Sequence, residues 1–373
     1  MATNNWPGVQ IVEDFELALS IATGETAIPA FACDPGDVLK GLIGKEFSSW
    51  LELGQCISKL QPIVTPEAAQ GSVLYRALKT YFDNGGGRVY VMDVTNMSVT
   101  VPGYDDITLL VQAGTKADVF GGEANKICKP GNTYFAILDC GGETDAEIAI
   151  DGVATVRGKL IKNPYAAIYY PWLQADWTGK RIPPSAAVAG AYCAVDRERG
   201  VWKAPANVAL KGGVRPVYKV SDELDGMLNV DNSGGLSINA IREFRGTGPL
   251  IWGARTLDTT LTTWKYVPVR RLFNAVEKDV RTSMGVAMFE PNSQPTWERV
   301  RGAIDNYLHA LWKQGALMGT TPAQAYFVQV GLGVTMTQDD VLSGKMIVQI
   351  GLAAVRPAEF IIIQVSQQQL SAA

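Results

Sequence analysis

The sequence is most informative first in what it lacks. It holds one histidine, His309, in 373 residues. A Ser-His-Asp protease needs an imidazole as its base, and this one sits inside a helical pattern of the C-terminal region, so it is expected to be structural. The five cysteines, Cys33, Cys56, Cys128, Cys140 and Cys193, are odd in number and include no Cys-x-x-Cys pair. A zinc site needs such clustering, so reduced and mostly buried thiols are expected, with no metal. Charge is nearly balanced, 33 Lys and Arg against 37 Asp and Glu, and the one basic block is Arg270-Arg271. Nucleic-acid binders carry a basic surface, so no nucleic-acid partner is expected. No apolar run approaches the ~20 residues of a membrane helix. Met1 to Pro7 lacks a basic stretch followed by an apolar one, so no secretory leader is read. The chain is expected to be soluble and cytoplasmic when made, without direct membrane insertion.

Phosphate and metal loops are missing too. Gly85-Gly86-Gly87 precedes a strand, whereas a dinucleotide loop follows one. Gly331-Leu332-Gly333 lacks its third glycine. Gly44-Lys45 and Gly344-Lys345 are followed by Glu46 and Met346, where a P-loop needs Ser or Thr. Asp105-Asp106 and Asp339-Asp340 lack the ligand series of a calcium loop. No catalytic, cofactor-binding or metal residue is therefore nominated.

What is present is ample core material, 47% hydrophobic, in a length that suggests two domains. Thr65-Pro66-Glu67 opens a helix with a capping hydroxyl and an early proline. Its apolar stripe, Val73, Leu74, Ala77, Leu78, Tyr81 and Phe82, stops at Asn84-Gly85. Strands are predicted at 88–94, 134–138 and 166–170, and helices at 145–156 and 183–194. That alternation argues for an α/β layer on a mostly parallel sheet. Further on, Leu250 to Trp252 reads as a strand and Tyr266 to Val269 as a second extended run. A helix follows, with Leu272, Val276 and Val280 inward and Arg270, Glu277, Lys278 and Arg281 largely on its other side. Val286 to Phe289 is expected to return as a strand. From Pro295, residues Trp297, Val300, Ile304, Leu308, Leu311 and Trp312 recur at helical spacing. Strands at 325–330 and 346–352 complete this region.

Three motifs stand in one order in the C-terminal half: Trp252-Gly253-Ala254-Arg255-Thr256-Leu257, Tyr266-Val267-Pro268-Val269-Arg270-Arg271-Leu272 and Phe289-Glu290-Pro291-Asn292. With Pro7-Gly8-Val9, Ala166 to Trp172, Gly200 to Asn207, Ser237 to Arg242 and Arg356-Pro357-Ala358-Glu359-Phe360, they resemble contractile-tail sheath proteins of phage tails, R-type pyocins and extracellular contractile injection systems. The resemblance implies a fold of mixed α/β and α+β class. Its parts would be an N-terminal arm (1–26), a subtilisin-like α/β domain (27–248), a C-terminal α+β sheath domain (249–358) and a C-terminal arm (359–373). It implies a structural subunit that stacks as a helical array around an inner tube and contracts without nucleotide hydrolysis, driving the tube through a target envelope. Implied partners are further copies of the chain, the inner tube protein, and baseplate and terminator proteins. The finished particle would be a virion or a released extracellular machine. A charged helix of the family faces the tube, which nominates Glu298, Arg299, Asp305 and Lys313. The alternatives are an α/β hydrolase or nucleotide-binding enzyme, and a tube or capsid-like shell protein.

The chain's ends carry the assembly argument. Phe360-Ile361-Ile362-Ile363-Gln364-Val365 is strongly strand-forming, and a free edge of that sequence would aggregate. It must be covered by its own domain or by another chain. Six ladder hydrogen bonds contribute roughly 6 kcal/mol at about 1 each, and fixing six backbones costs about as much. Burying one Phe, three Ile and one Val adds on the order of 8–15 kcal/mol, so side-chain burial decides. In sheath proteins both arms join neighbouring subunits in shared sheets, which assigns Val9, Ile11 and Val12 at one end and Phe360, Ile361, Ile362, Ile363 and Val365 at the other.

Overall fold

The computed structural model describes residues 19–60, 62–230 and 234–359. The nominated arm residues Val9, Ile11, Val12, Phe360, Ile361, Ile362, Ile363 and Val365 lie outside this set.

In chain order the elements are β1 (Pro29–Cys33), β2 (Glu46–Phe47), α1 (Trp50–Ser58), α2 (Pro66–Gly71), α3 (Val73–Asp83), β3 (Val89–Asp93), α4 (Met97–Thr100), β4 (Leu109–Val111) and α5 (Ala117–Ile127). There follow β5 (Phe135–Asp139), α6 (Val153–Arg157), β6 (Ala166–Tyr170), β7 (Leu173–Ala175), β8 (Thr178–Ile182), α7 (Pro184–Arg199), β9 (Val208–Ala209), β10 (Val214–Pro216), α8 (Asp222–Asn229), β11 (Asn239–Phe244) and β12 (Gly248–Ile251). The last are α9 (Val267–Met284), α10 (Gln294–Lys313), α11 (Pro322–Ala325), β13 (Tyr326–Val330), α12 (Gln338–Leu342) and β14 (Val348–Leu352).

The fold is mixed α/β. A nine-stranded sheet runs β2-β3-β1-β4-β5-β6-β11-β12-β9, and the other strands form two small antiparallel sheets, β10-β7-β8 and β13-β14. The six strands from β3 to β11 are all parallel, and antiparallel partners close both flanks. Parallel strands are covered on both faces and so carry unbroken apolar sequence; β1 and β6 are buried at every residue. Successive side chains still alternate between two cores. Phe31, Val91, Val111, Ile137 and Tyr169 pack on one face with α3 and α7. Ala32, Tyr90, Leu110, Ala136 and Ile168 pack on the other with α4, α5 and α8.

α7 crosses α3 closely because its sequence is small, Ser185 to Ala191 being Ser-Ala-Ala-Val-Ala-Gly-Ala. A Cβ at Gly190 would lie 2.4 Å from the Tyr81 carbonyl oxygen, so only glycine fits that crossing.

The chain forms two compact units. The larger contains 24–278, 315–318 and 353–359 among the described residues; the smaller contains 279–314 and 319–352, together with 19–23. In the smaller unit, α10 buries Trp297, Val300, Ala303, Ile304, Tyr307, Leu308 and Leu311 along one stripe. β13 and β14 pair antiparallel over five residues. Tyr307 donates to Asp279 at 2.7 Å inside this unit.

Several local expectations are corrected. The helix read from Thr65 is two helices, because Ser72 is extended; its hydroxyl caps α3 through Tyr75 N–H and donates to Asp37. Residues 145–149 are not helical. Asp145 accepts from Gly142 N–H, and Ile148 N–H donates to the Tyr170 hydroxyl, so side chains hold this segment. Helix appears only at Ile150–Gly152, as one 3-10 turn, and in α6. Tyr266 to Val269 is not a strand. α9 starts at Val267, since Pro268 is compatible with a first helical turn, and only Tyr266 bridges back to Arg255. Val286 to Phe289 is not a strand either: Gly285–Ala287 is a 3-10 turn, after which the chain is exposed. Arg270, expected on the outer side of its helix, is 3% exposed. Its guanidinium lies 4.1 Å from the Trp264 ring centroid and 4.5 Å from that of Tyr165, faces on which a cation stacks favourably.

Candidate assembly site at the roots of the terminal segments

Two buried arginines from the C-terminal motifs fix Thr26, near the start of the described residues, and Glu359, the last of them. Both lie within the larger unit.

At the N-terminal root, Asp196 at the end of α7 and Arg271 in α9 form an ion pair of 2.6 Å, with side chains 5% and 2% exposed. Arg271 engages both carboxylate oxygens. The Thr26 hydroxyl donates to Asp196 at 2.5 Å, and the Thr26 carbonyl accepts from Arg271 at 3.1 Å and from the Thr108 hydroxyl at 2.9 Å. Ile28 N–H then donates to Thr108 Oγ1, which passes the chain into β1. Burial opposes the Arg271 charge, but Asp196 more than offsets this and keeps its pKa above the ordinary value. Tyr192 lies under the guanidinium at 4.7 Å. One residue nearer the terminus, Glu25 pairs with Arg88 at 2.7 Å in a more exposed contact.

At the C-terminal root, Leu317 bridges Ala354, and Val355 N–H donates to the Ala316 carbonyl. Glu359, the last described residue, then accepts two parallel bonds from Arg255, Nε to Oε1 at 2.7 Å and Nη2 to Oε2 at 2.6 Å. This fork matches the planar guanidinium to the carboxylate. The Tyr266 hydroxyl donates to Oε2 at 3.0 Å and Asn229 Nδ2 to Oε1 at 3.2 Å, while Lys265 Nζ lies 3.5 Å away. Arg255 is itself fixed by the Asn229 carbonyl at 2.8 Å, and its backbone exchanges two bonds with the Asn239 amide. Burial pushes the Glu359 pKa up, but Arg255, Asn229 and Tyr266 outweigh it and hold the carboxyl below its usual range. Burial and the adjacent Glu359 push the Tyr266 hydroxyl up to about 12.

The other nominated residues are on α10. At 100° per residue, Glu298, Asp305 and Lys313 share one face and Arg299 stands at its margin. The first three are exposed and Arg299 is half-buried. Glu298 pairs with Arg301, and the Tyr326 hydroxyl lies 3.4 Å from His309 Nδ1. His309 is half-buried on the same helix, its ring 5.4 Å from Trp312.

Ser185 and Asp139 meet at the start of α7. Ser185 is fully buried; it donates through Oγ to Asp139 at 2.9 Å and receives the Ala113 amide. Asp139 also accepts the amides of Ser185 and Gly114, so it acts as a cap for α7. Among the described residues there is no group of three or more His, Cys, Asp or Glu placed to hold a metal ion, and no helix is long and apolar enough to cross a membrane. All five cysteines are free thiols, and burial pushes Cys33 and Cys140 up to about 12 and Cys193 up to about 11.

Arg255, Tyr266, Arg271 and Glu359 stand inside the sequence motifs, where nothing local gives them a role. Thr26 and Asp196 fall outside those motifs. An isolated charge inside an apolar run, Arg255 between Trp252 and Leu257 or Glu359 before Phe360, was the available sign of a buried pair.

Comparison with known proteins gives the family and the fold. Residues 259–368 match the phage tail sheath C-terminal domain. A chain of the PVC sheath complex of an extracellular contractile injection system, in its contracted state, is 45% identical and superposes with a TM-score of 0.85 over 99% of both chains. A chain of the contracted helical sheath of the anti-feeding prophage is 37% identical, with a TM-score of 0.79 over 98% of this chain and 100% of that one. The tail sheath protein of Vibrio phage KVP40 is 25% identical over 162 residues, and the match spans 24% of that longer protein. The sheath tail protein of Desulfitobacterium hafniense shares the fold at 10% identity and a TM-score of 0.55.

Proposed function

The chain belongs to the contractile tail sheath family, and from that premise we propose that it polymerises around an inner tube and drives that tube forward by contracting. The family is structural and not enzymatic, so the hydrolase and nucleotide-binding alternatives fall away. The observation that carries the proposal is the full-length, 45% identical relative seen in a contracted sheath complex.

The proposed work cycle consumes no nucleotide. Copies held in an extended lattice repack into a shorter, wider one, and the free energy is the difference between two packings summed over many subunits. The four-part division at 1–26, 27–248, 249–358 and 359–373, with a subtilisin-like layer in the second part, belongs to the same proposal. The terminal segments act as strands shared with neighbouring copies. Support comes from their composition and from β13–β14, since a two-stranded sheet is marginal alone and gains from added strands. The clamps at Arg255–Glu359 and Arg271–Asp196 fix each segment's root, so tension in the segments is delivered to the core sheet. The exposed face of α10, with Glu298, Asp305 and Lys313 and with Arg299 at its edge, is the proposed tube contact. Baseplate and terminator proteins would bound the array, assembled in the cytoplasm and then carried in an extracellular particle or phage-like tail.

Electron microscopy of the purified protein tests this. Hollow cylinders are expected from the full chain, and none from a chain lacking 359–373. Dispersed monomers of the full chain at high concentration would count against the proposal, and unimpaired cylinders from the truncated chain would remove the arm's role.

A further inference from the structure

The third motif, Phe289-Glu290-Pro291-Asn292, is only half explained by internal contacts. Asn292 is a clamp: its amide oxygen accepts Trp297 Nε1 at 2.7 Å, and its nitrogen donates to the carbonyls of Lys345 at 3.0 Å and Val341 at 3.4 Å. Phe289 is the reverse. Its side chain is 100% exposed and its backbone sits at φ +70, a left-handed conformation in which a bulky aromatic residue is an outlier. Val286 and Met288 beside it are 52% and 65% exposed. The turn is held in place, by the 3-10 turn Gly285–Ala287 before it and the Asn292 clamp after it, yet the strained aromatic touches nothing in its own unit.

The surrounding surface has the same character. Eight of the nineteen exposed large apolar side chains among the described residues lie in the smaller unit, which holds roughly a fifth of the chain. An exposed aromatic among further apolar side chains, on a fixed backbone, is the composition of an interface anchor.

We propose that the turn from Val286 to Phe289 is a contact between subunit cores, with Phe289 seated in a second copy of this chain. This rests on the chain's assembly as a sheath. A buried Phe removes about 150–250 Å² from water, so the three side chains together reach about half of the ~800 Å² per partner that a stable pair of free molecules needs. Such a contact is too small to recruit a free partner. It suits one already tethered at a fixed spacing and repeated many times, which an array of identical copies provides. The contact adds to strand exchange and acts on the folded bodies themselves, where lattice spacing is set.

Two experiments test the proposal. Phe289→Gly removes the ring and relaxes the backbone; Phe289→Asn removes the ring and keeps a residue that tolerates this conformation. Both are expected to leave the monomer's unfolding midpoint unchanged or raised while raising the concentration needed for cylinder formation at least about tenfold. A photoreactive benzoylphenylalanine at 289 in assembled particles is expected to give a product of twice the 40.2 kDa chain mass. Variants that assemble at the wild-type concentration would overturn the proposal, as would crosslinking only to a different protein or to none. If the full chain forms no cylinders, the sheath-assembly premise itself fails. If truncation of 359–373 abolishes cylinders and Phe289→Gly does not affect them, this inference alone fails.

Discussion

Replacing Arg255 with Ala strips Glu359 of its two shortest bonds, 2.6 and 2.7 Å, and leaves the carboxylate with Tyr266, Asn229 and a distant Lys265. Breaking a buried ion pair from one side costs about 3–5 kcal/mol. Glu359 keeps 18% side-chain exposure and three residual partners, so the lower end, about 3 kcal/mol, is expected. Glu359→Ala leaves Arg255, only 4% exposed, with the Asn229 carbonyl as its remaining side-chain partner, and the cost should be no smaller. The double variant should cost well under the sum, a coupling of about 2 kcal/mol. Arg255→Lys should not rescue, because an ammonium cannot make the parallel fork. Urea unfolding of the wild type and these four variants measures this directly. pH adds a signed check. The Glu359 carboxyl titrates below its ordinary value, so its contribution is fully present above the unfolded value and is lost as pH falls through the lower, folded one. The wild-type loss of stability between pH 5 and pH 3 should therefore shrink in Glu359→Gln. A coupling indistinguishable from zero, with single costs below about 0.5 kcal/mol, would mean that the clamp is an exposed-type pair and holds nothing.

The remaining expectations concern the core that the clamps are anchored in. Arg271→Met should cost about 3–5 kcal/mol by leaving Asp196 charged and buried, and Asp196→Leu added to it should recover most of the loss, as apolar replacement of a whole buried pair does; chemical denaturation of the single and double variants decides. Burial pushes the Asp139 carboxyl up to about 6 against the bonds from Ser185 and Gly114. Its ionised form is thus penalised in the fold, and its contribution favours folding by about 1 kcal/mol more at pH 5 than at pH 7; Asp139→Asn should abolish that difference in the urea midpoint. Gly190→Ala places a Cβ 2.4 Å from the Tyr81 carbonyl and should lower stability by about 1–3 kcal/mol, read as a fall in unfolding temperature.

Much of the architecture was legible because its causes are local. Five consecutive buried residues in β6 leave an apolar run that reads directly as a strand, and the α10 stripe from Trp297 to Leu311 is set by helical spacing alone, whereas the equally buried β1 is not among the strands read from sequence. The misreadings share one origin, side chains acting on backbone. Ser72 splits one helix into two by capping the second. The Tyr170 hydroxyl and Asp145 hold 142–148 out of a helix. Tyr266 to Val269 reads as an extended run, yet Pro268 occupies a helix's first turn.

The clamps were not legible for a different reason. Arg255 meets Glu359 across 104 positions and Thr26 meets Asp196 across 170, so no window of sequence contains either pair. What sequence did carry was the cost of the isolated halves. An arginine between Trp252 and Leu257 and a glutamate directly before Phe360 are each expensive to bury alone, and such charges persist in buried positions only when paired. Arg270 is paired as well, with Glu277 at 3.1 Å, but it also bonds Asn274 and rests on the rings of Trp264 and Tyr165, so two adjacent arginines of one motif are buried by different chemistry. Arg270 ties α9 to the aromatic residues around it, whereas Arg271 and Arg255 tie the sheet's surroundings to the two chain ends. The C-terminal motifs thus bind Thr26 and Glu359, far apart in sequence, to the body of the larger unit, and substitution there should appear first as lost stability of the single chain.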